Sequence, residues 1–275
     1  MKATCRTRIK AAKLKMTFAG DCLKEKSILI TGGLGAIGRV VVSALFAHSA
    51  RVTVNDLLPD EDGAEVCEQL NWPQNCFAYV QADVTTATGA VAVVSKATET
   101  FGPLHIAICN AGMAESCPIV DYSEAQWDKI MDVNLKSAFL TAQASSRAMI
   151  QENVRGKIIF TSSWVQDVPW PGITPYNVTK SGIKMLMRGM ARELAPHGIR
   201  VNCLAPGIVA VGMAKRQWDT EPDYRRRAEK AIPLGFMQPP ESVANAFIFL
   251  CSDAPDYMTG STLLVDGGSS LYPMD

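Results

Sequence analysis

Ser163, Tyr176 and Lys180 are three polar residues whose types suit proton transfer to or from a substrate oxygen. Tyr176 and Lys180 are four residues apart, so on a helix they would lie on one face. A phenol with a pKa of ~10 is a weak base at neutral pH, but a nearby ammonium group favours the phenolate and lowers that pKa. Tyr176 would then exchange a proton with an alcohol or a carbonyl, while the Ser163 hydroxyl hydrogen-bonds the same oxygen. The alternative interpretation is a core aromatic residue, a strand-end serine and a solvated lysine.

The overall composition of the 275-residue chain is that of a soluble globular protein, with 48% hydrophobic and 20% charged residues. Its net charge is zero, which gives no general attraction for nucleic acid or an anionic membrane. Apolar runs such as Val40–Val42 are far too short to span a bilayer. We therefore expect a cytoplasmic protein with a small-molecule substrate and with neither nucleic acid nor membrane as a partner.

The first 20 residues carry an excess of positive charge. Six basic residues, Lys2, Arg6, Arg8, Lys10, Lys13 and Lys15, precede the first acidic one, Asp21. We expect residues 1–20 to form a flexible basic extension, and a mitochondrial targeting peptide is an alternative interpretation.

The cysteine and histidine residues do not suggest a metal centre. The chain has eight cysteines without a CxxC pair, and its three histidines, His48, His105 and His197, are far apart in the sequence. Zinc sites need such ligands in close company. We therefore predict no metal site and reduced thiols.

Seven short apolar runs, each followed by a segment of helical length, predict an α/β fold. The predicted strands are Ser27–Thr31, Arg51–Asp56, Phe77–Gln81, Leu104–Cys109, Lys157–Thr161, Arg200–Leu204 and Leu263–Val265, and the predicted helices are 36–48, 61–70, 86–101, 123–151, 174–196 and 240–252. Continuously apolar strands that alternate with helices indicate a parallel sheet covered on both faces. The prediction is a Rossmann-like, doubly wound sheet of seven mostly parallel strands in one domain, residues 21–275. Residues 211–239 depart from the pattern and are interpreted as an insertion on the substrate side.

A glycine-rich stretch, TGGLGAIGRV, follows the first predicted strand and opens an apolar helix. In that context the backbone can approach a pyrophosphate, and the helix N-terminus supplies N–H donors. Asp56 ends the second strand, where a carboxylate can accept hydrogen bonds from both adenosine ribose hydroxyls and would repel a 2′-phosphate. With no Arg or Lys at positions 55, 57 or 58, the sequence favours NAD over NADP as cofactor.

Short motifs along residues 22–270 resemble those of the short-chain dehydrogenase/reductase (SDR) family, in its short or classical branch. They are ADV at 82–84, CNAG at 109–112, VNL at 133–135, the serine pair at 162–163, YNVTK at 176–180, APG at 205–207 and VDGG at 265–268. The resemblance implies an oxidoreductase acting on CH–OH groups with NAD(P). It also implies a homodimer or homotetramer that pairs the helices near 123–151 and 174–196.

The resemblance implies roles for residues beyond the glycine-rich turn. It makes Asn134 the holder of a relay water beside Lys180, and Lys180 the residue that also binds the nicotinamide ribose. It places Asp83 and Val84 at the adenine. The full predicted cofactor-binding set is Gly32, Leu34, Gly35, Ile37, Gly38, Asp56, Asp83, Val84, Asn110, Ala111, Gly112, Tyr176, Lys180, Pro206, Gly207 and Val209. The predicted catalytic set is Asn134, Ser163, Tyr176 and Lys180.

Three positions depart from the family pattern. Ala36 stands where short members usually have Gly, and the resulting TGxxGxxG spacing is more typical of extended members, many of which are sugar-nucleotide epimerases. Val211 replaces a Thr that often hydrogen-bonds the carboxamide, and Phe236 stands where Arg is common.

Large apolar side chains flank the predicted catalytic residues. Ser163, Tyr176, Trp164, Trp170, Met113 and Met213 form the predicted substrate-binding set. Aromatic and Met surfaces suit a medium-sized, partly apolar skeleton that bears a secondary alcohol or ketone. The alternative for Trp164 and Trp170 is a subunit interface. Alternative functions are an NADP-dependent ketoreductase, a non-redox epimerase or cyclase, and a dinucleotide-sensing binding protein.

Overall fold

A single seven-stranded sheet forms the centre of the protein. The computed structural model describes residues 20–271, so the basic extension lies outside the described residues except for Gly20. The strands are β1 (Ser27–Thr31), β2 (Arg51–Asp56), β3 (Phe77–Gln81), β4 (Ile106–Cys109), β5 (Lys157–Thr161), β6 (Arg200–Pro206) and β7 (Thr262–Val265). Their order is β3-β2-β1-β4-β5-β6-β7, and every neighbouring pair is parallel. The predicted doubly wound fold is confirmed.

Nine α-helices connect these strands within the described range. They are α1 (Ala36–Ala47), α2 (Asp60–Gln69), α3 (Ala87–Phe101), α4 (Glu124–Met131), α5 (Ser137–Gln151), α6 (Thr174–Leu194), α7 (Gly212–Thr220), α8 (Pro222–Ala231) and α9 (Pro240–Cys251). Alternate residues of β1 show why both sheet faces need cover. Ile28 and Ile30 pack into one apolar cluster with α1 and α9, while Leu29 packs into a second with α3, α5 and α6. Each face of the sheet is therefore a buried core.

The order of the strands reverses between β1 and β4, which pair directly although β2 and β3 come between them in the chain. In open parallel sheets a crevice forms outside the carboxyl ends of the strands at such a point. The residues that follow β1, β4 and β5 thus meet at one edge of the sheet.

The predicted continuous helix over 123–151 is wrong in one respect. A π-helical turn, Asp132–Lys136, separates α4 from α5, and the Ser137 N–H donates to the Asp132 carbonyl five residues earlier. Such widened turns occur mostly at functional sites. Its central residue is Asn134, whose side chain bonds to a neighbouring loop rather than to its own helix.

Residues 211–239 contain two helices, α7 and α8, which cover the carboxyl edge of the sheet. Tyr224, Ala228 and Ala231 of α8 are buried at helical spacing. They belong to a third apolar cluster that includes Trp164 and Trp170, from the segment between β5 and α6. Because Trp164 follows β5 and Ile208 follows β6, this cluster lies beside the carboxyl ends of those two strands.

Candidate active site

A cavity of about 900 Å³ opens at the carboxyl edge of the sheet. Most residues of the predicted site line it: Gly32, Gly35, Ile37, Gly38, Asp56, Asp83, Val84, Asn110, Ala111, Gly112, Met113, Ser163, Trp164, Trp170, Tyr176, Lys180, Gly207, Val209 and Met213. Three predicted residues, Leu34, Asn134 and Pro206, are not among those lining it. The structure thus brings residues from the glycine-rich turn to the insertion into one continuous space.

The glycine-rich turn at one end of this space is shaped by close backbone approaches. A Cβ on Gly38 would lie 2.3 Å from the Gly32 carbonyl oxygen, a distance that no side chain can accommodate without a shift of the backbone. Gly32 itself has a φ of +63°, which favours glycine. Gly35 is the N-cap of α1 and provides no side-chain cap, so the first N–H groups of the helix have no side-chain acceptor from that position. This is the arrangement that an anionic pyrophosphate fits.

Asp56 is held rigidly at the end of β2. One carboxylate oxygen accepts a hydrogen bond from the Leu34 N–H at 3.0 Å, and the other accepts from the Leu57 N–H at 2.9 Å. Leu34 therefore contributes through its backbone and does not line the cavity. A carboxylate has about four acceptor positions, so each oxygen retains one for a ligand hydroxyl. The residues present fit the ribose of a dinucleotide.

Asn110 joins the ends of three strands beneath the cavity. Its amide nitrogen donates to the Thr31 carbonyl at 3.2 Å and to the Gly32 carbonyl at 3.1 Å, and its amide oxygen accepts from the Thr161 hydroxyl at 3.1 Å. These bonds fix the loop after β4 against the glycine-rich turn. Asn110 thus positions the neighbouring residues Ala111 and Gly112 along the cavity.

Tyr176 and Lys180 lie on one face of α6, as their spacing predicts. The Lys180 ammonium group is 5.2 Å from the centroid of the Tyr176 ring and donates to the Thr161 carbonyl at 2.8 Å. Ser163 lies at the end of β5 and is buried, as is Lys180. The three side chains therefore converge on one wall of the cavity.

Burial shifts the pKa values of this pair in opposite directions. It raises the pKa of Tyr176 to about 12, and a hydrogen bond with Ser163 offsets part of that rise. It lowers the pKa of Lys180 to about 8. The expectation of a lowered Tyr176 pKa is thus not met by the protein chain alone, because the loss of hydration outweighs the other contributions.

The side chain of Asn134, on the π-helical turn, lies close to Lys180. A Cβ on Gly112 would lie 3.3 Å from its amide oxygen and 3.7 Å from the Lys180 ammonium nitrogen, so both side chains approach Gly112. The Asn134 oxygen accepts from the Met113 N–H at 2.7 Å, and its nitrogen donates to the Met113 carbonyl at 2.8 Å and to the Thr179 hydroxyl at 3.2 Å. Both amide hydrogens are engaged, which leaves one oxygen lone pair for a water.

The opposite end of the cavity has an aromatic wall formed by Trp164, Trp170 and Tyr224. The two indole rings meet edge-to-face with centroids 5.5 Å apart, and Trp170 meets the Tyr224 ring at 5.8 Å. Trp164 and Trp170 are only 3% and 6% exposed. They are buried within the protein chain itself, which argues against their alternative placement at a subunit surface.

Several cavity residues of the insertion were absent from the predicted site. The cavity is also lined by Gln217 of α7, by Glu221 between the two helices, and by Tyr224 and Arg227 of α8. The spacing of Tyr224, Ala228 and Ala231 marks the buried face of α8, but only the fold shows that this face meets the cavity.

Two general properties concern the described residues as a whole. Residues 20–271 contain no cluster of three or more His, Cys, Asp or Glu side chains that could hold a metal ion. None of the helices in this range combines the length and apolar character needed to cross a membrane.

Comparison with known proteins identifies the family to which this geometry belongs. A family model described as "Enoyl-(Acyl carrier protein) reductase" matches residues 33–270. The chain is 33% identical to "3beta-hydroxysteroid dehydrogenase 1" of Eggerthella lenta over 253 residues, 92% of this chain and 97% of that protein. It is 34% identical to "Glucose 1-dehydrogenase 2" of Bacillus subtilis over 254 residues, 91% of this chain and 97% of that protein.

A solved structure supports the same assignment. A short-chain type dehydrogenase/reductase from Mycobacterium marinum superposes with a TM-score of 0.83 at 32% identity, covering 91% of this chain and 97% of the other. The protein belongs to the short-chain dehydrogenase/reductase family. It is an oxidoreductase of the alcohol-dehydrogenase type, in a family that uses NAD(P).

Proposed function

We propose that this protein interconverts a secondary alcohol and a ketone on a medium-sized, partly apolar substrate with NAD(H), and that Tyr176 is the general acid and base. The observation that carries this proposal is the convergence of Ser163, Tyr176 and Lys180 between the glycine-rich turn and the aromatic wall. A dinucleotide-sensing protein would not require these three side chains around one point.

The proposed mechanism assigns a proton task to each side chain. Ser163 hydrogen-bonds the substrate oxygen and stabilises the negative charge that develops there. Tyr176, protonated at neutral pH, donates its proton to that oxygen in the reductive direction. In the oxidative direction Tyr176 must lose its proton first, and the adjacent Lys180 ammonium group favours the phenolate. When bound, the nicotinamide would supply or accept the hydride.

Asn134 is proposed to position the pathway by which Tyr176 and Lys180 regain protons. Its bonds to Met113 and Thr179 tie the π-helical turn to the loop after β4 and to α6. The remaining lone pair of its oxygen, close to Lys180, is a suitable acceptor for a relay water.

Preference for NAD is proposed on the basis of Asp56, whose carboxylate lines the cavity and would face a ribose hydroxyl. A 2′-phosphate at that place would be repelled. The nearest basic residue of the turn is Arg39, whose Nε donates to the Leu34 carbonyl at 2.6 Å. That contact occupies only the Nε of Arg39, and we propose that the charge of Asp56 decides the preference between the two cofactors.

The substrate class is proposed from the aromatic wall rather than from the relatives. The two relatives act, by their names, on a steroid and on glucose, at nearly equal identity to this chain. Two indole rings and a tyrosine ring make this wall of the cavity apolar, which suits an alicyclic or steroid-like skeleton better than a sugar.

Hydride transfer measured by absorbance tests this proposal. NAD and NADP would be offered separately with a 3β-hydroxysteroid, substituted cyclohexanols and glucose, to the wild-type protein and to Tyr176→Phe. The expected result is turnover of the apolar alcohols, higher with NAD and lost in Tyr176→Phe. Preference for glucose would overturn the substrate class, and product formation without change in cofactor absorbance would indicate non-redox chemistry.

We also propose that the protein is a homo-oligomer that pairs α5 and α6 with their counterparts. Phe139 on α5 and Val178 and Met185 on α6 are apolar side chains between 40% and 64% exposed. Burying them would be favourable. Light scattering of the wild type and of Met185→Glu tests this: the expected dimer or tetramer should weaken in the variant, whereas a monomeric wild type would contradict the proposal.

A further inference from the structure

Three consecutive arginines in α8 differ sharply in their surroundings. Arg225 pairs with Glu229 at 3.0 Å and lies 5.5 Å from the Trp218 ring. Arg226 pairs with Asp223. Arg227 instead lines the cavity, with its guanidinium carbon 5.3 Å from the Trp170 ring centroid.

The guanidinium group of Arg227 lacks a polar partner among residues 20–271. Its Nε is buried and donates no hydrogen bond there, and no carboxylate in that range lies within ion-pair distance. Arg227 as a whole is partly exposed, but its buried Nε–H donor without an acceptor is costly to retain. Stacking on Trp170 satisfies only the face of the group, and its N–H edge stays unpaired.

Glu221, six residues before Arg227, is the acidic residue of the 211–239 segment that also lines the cavity. Glu221 is exposed and accepts a hydrogen bond from the Gln217 amide at 3.3 Å. No ion pair joins it to Arg227 among the described residues. The positive charge of Arg227 is therefore available to a ligand in the cavity.

The aromatic wall connects Arg227 to the reacting end of the site. Arg227 contacts Trp170, Trp170 contacts Trp164, and Trp164 directly follows Ser163 in the chain. A ligand lying along these rings would have its reacting oxygen at Ser163 and Tyr176 and its far end at Arg227. The flat, forked N–H edge of a guanidinium group matches a carboxylate.

We propose that Arg227 binds a carboxylate of the substrate and that the physiological substrate is a hydroxy or keto acid whose acid group is separated from the reacting carbon by an apolar skeleton. This inference rests on the proposed alcohol–ketone chemistry and names its substrate class more closely. Arg227 is a specificity residue and takes no part in proton transfer.

Matched pairs of keto acids and their primary amides test the proposal. Methyl keto acids of the form CH₃CO(CH₂)ₙCOO⁻, with n from 2 to 9, and 4-oxocyclohexanecarboxylate would each be compared with the corresponding amide, using NADH and the wild-type protein. A hydrogen-bonded ion pair in a partly desolvated site is expected to favour the best acid over its amide by about 10- to 100-fold in kcat/KM. The advantage should arise in KM and peak at one chain length.

Three variants separate recognition of the acid from simple packing. Arg227→Met retains the stem and should bring the ratio of acid to amide close to one, and Arg227→Lys should restore part of it. Arg225→Met, on the same helix but paired with Glu229, should leave the ratio unchanged. A loss of acid and amide turnover by the same factor in Arg227→Met would show that Arg227 only supports Trp170, and would overturn the proposal.

Binding of the same pairs, followed by tryptophan fluorescence, distinguishes this inference from the proposed function. Tighter binding of an acid than of its amide, lost in Arg227→Met, supports the carboxylate site even if no hydride is transferred. Turnover without any preference for acids leaves the alcohol–ketone function standing and refutes the role of Arg227. Failure of every acid to bind more tightly than its amide also refutes it.

Discussion

Replacing Asp56 by Asn is the perturbation that most clearly tests how the cofactor is recognised. The carboxylate accepts one backbone N–H on each oxygen, from Leu34 and from Leu57, and retains one lone pair on each for a ligand. An amide keeps one oxygen acceptor and turns the other into a donor. Asp56→Asn therefore removes the negative charge and at least one acceptor, while the size of the side chain barely changes.

The expected magnitude follows from the number of bonds. Hydrogen bonds to a charged group contribute about 1.5–3 kcal/mol, and neutral ones about 0.5–1.5 kcal/mol. The ribose hydroxyl that donated to the lost acceptor can instead accept from the amide N–H, so two bonds change from charged to neutral. They lose about 2–3 kcal/mol in total, which corresponds to a weakening of NAD binding by about 30- to 150-fold. Affinity for NADP should rise, because the repulsion of the 2′-phosphate is removed.

Calorimetric titration of both dinucleotides provides the measurement. Asp60→Asn is a matched control, because Asp60 also accepts a backbone N–H, from Gln81, and does not line the cavity. The control should bind NAD as the wild type does. An equal loss of NAD and NADP affinity in Asp56→Asn, or no loss of either, would refute the reasoning.

Three further perturbations have expected outcomes. Gly38→Ala should lower both NAD affinity and the melting temperature, because the added Cβ meets the Gly32 carbonyl oxygen at 2.3 Å; unchanged calorimetry would contradict this. Burial lowers the pKa of Lys180 from its ordinary value of 10.5 to about 8, so the unfolded chain binds more protons between these values and stability rises with pH there. In denaturant unfolding, the free energy of unfolding of the wild type should therefore rise relative to that of Lys180→Met by up to about 3 kcal/mol from pH 8 to 10.5. A difference between the two proteins that does not change with pH would argue against the lowered pKa of Lys180. Trp170→Ala should destabilise the protein by about 3–5 kcal/mol, as the side chain is 6% exposed, and a loss under 1 kcal/mol would show that the aromatic wall is not a packed cluster.

The sheet could be predicted from the sequence because its strands are buried on both faces. β1, SILIT, is apolar at its three central positions, because its alternate residues pack into different cores. A continuous apolar run in the sequence therefore predicts this strand. The cofactor-binding residues could be predicted from the sequence for a related reason. Gly38 and Asp56 hold positions, a tight turn and a strand end, that few other residue types can fill.

The parts that sequence did not predict depend on tertiary contacts. Residues 132–136, DVNLK, contain neither Gly nor Pro, and the π-helical turn instead accompanies the bonds of Asn134 to Met113. The raised pKa of Tyr176 depends on its depth of burial, which spacing does not reveal. The sequence does not distinguish Arg227 from the two arginines before it. The burial of Tyr224 and Ala228 in the folded protein shows that Arg227 lies on the side of α8 that lines the cavity.

Single-turnover hydride transfer in Tyr176→Phe and Tyr224→Phe tests the central claim most directly. Both tyrosines line the cavity and both have a pKa raised to about 12 by burial, but only Tyr176 has the Lys180 ammonium group beside its ring. If Tyr176 is the general acid and base, Tyr176→Phe should lose about 10²- to 10⁴-fold in the rate of hydride transfer while still binding NAD, and Tyr224→Phe should retain most of that rate. A Tyr176→Phe variant that transfers hydride as fast as the wild type would contradict the assignment.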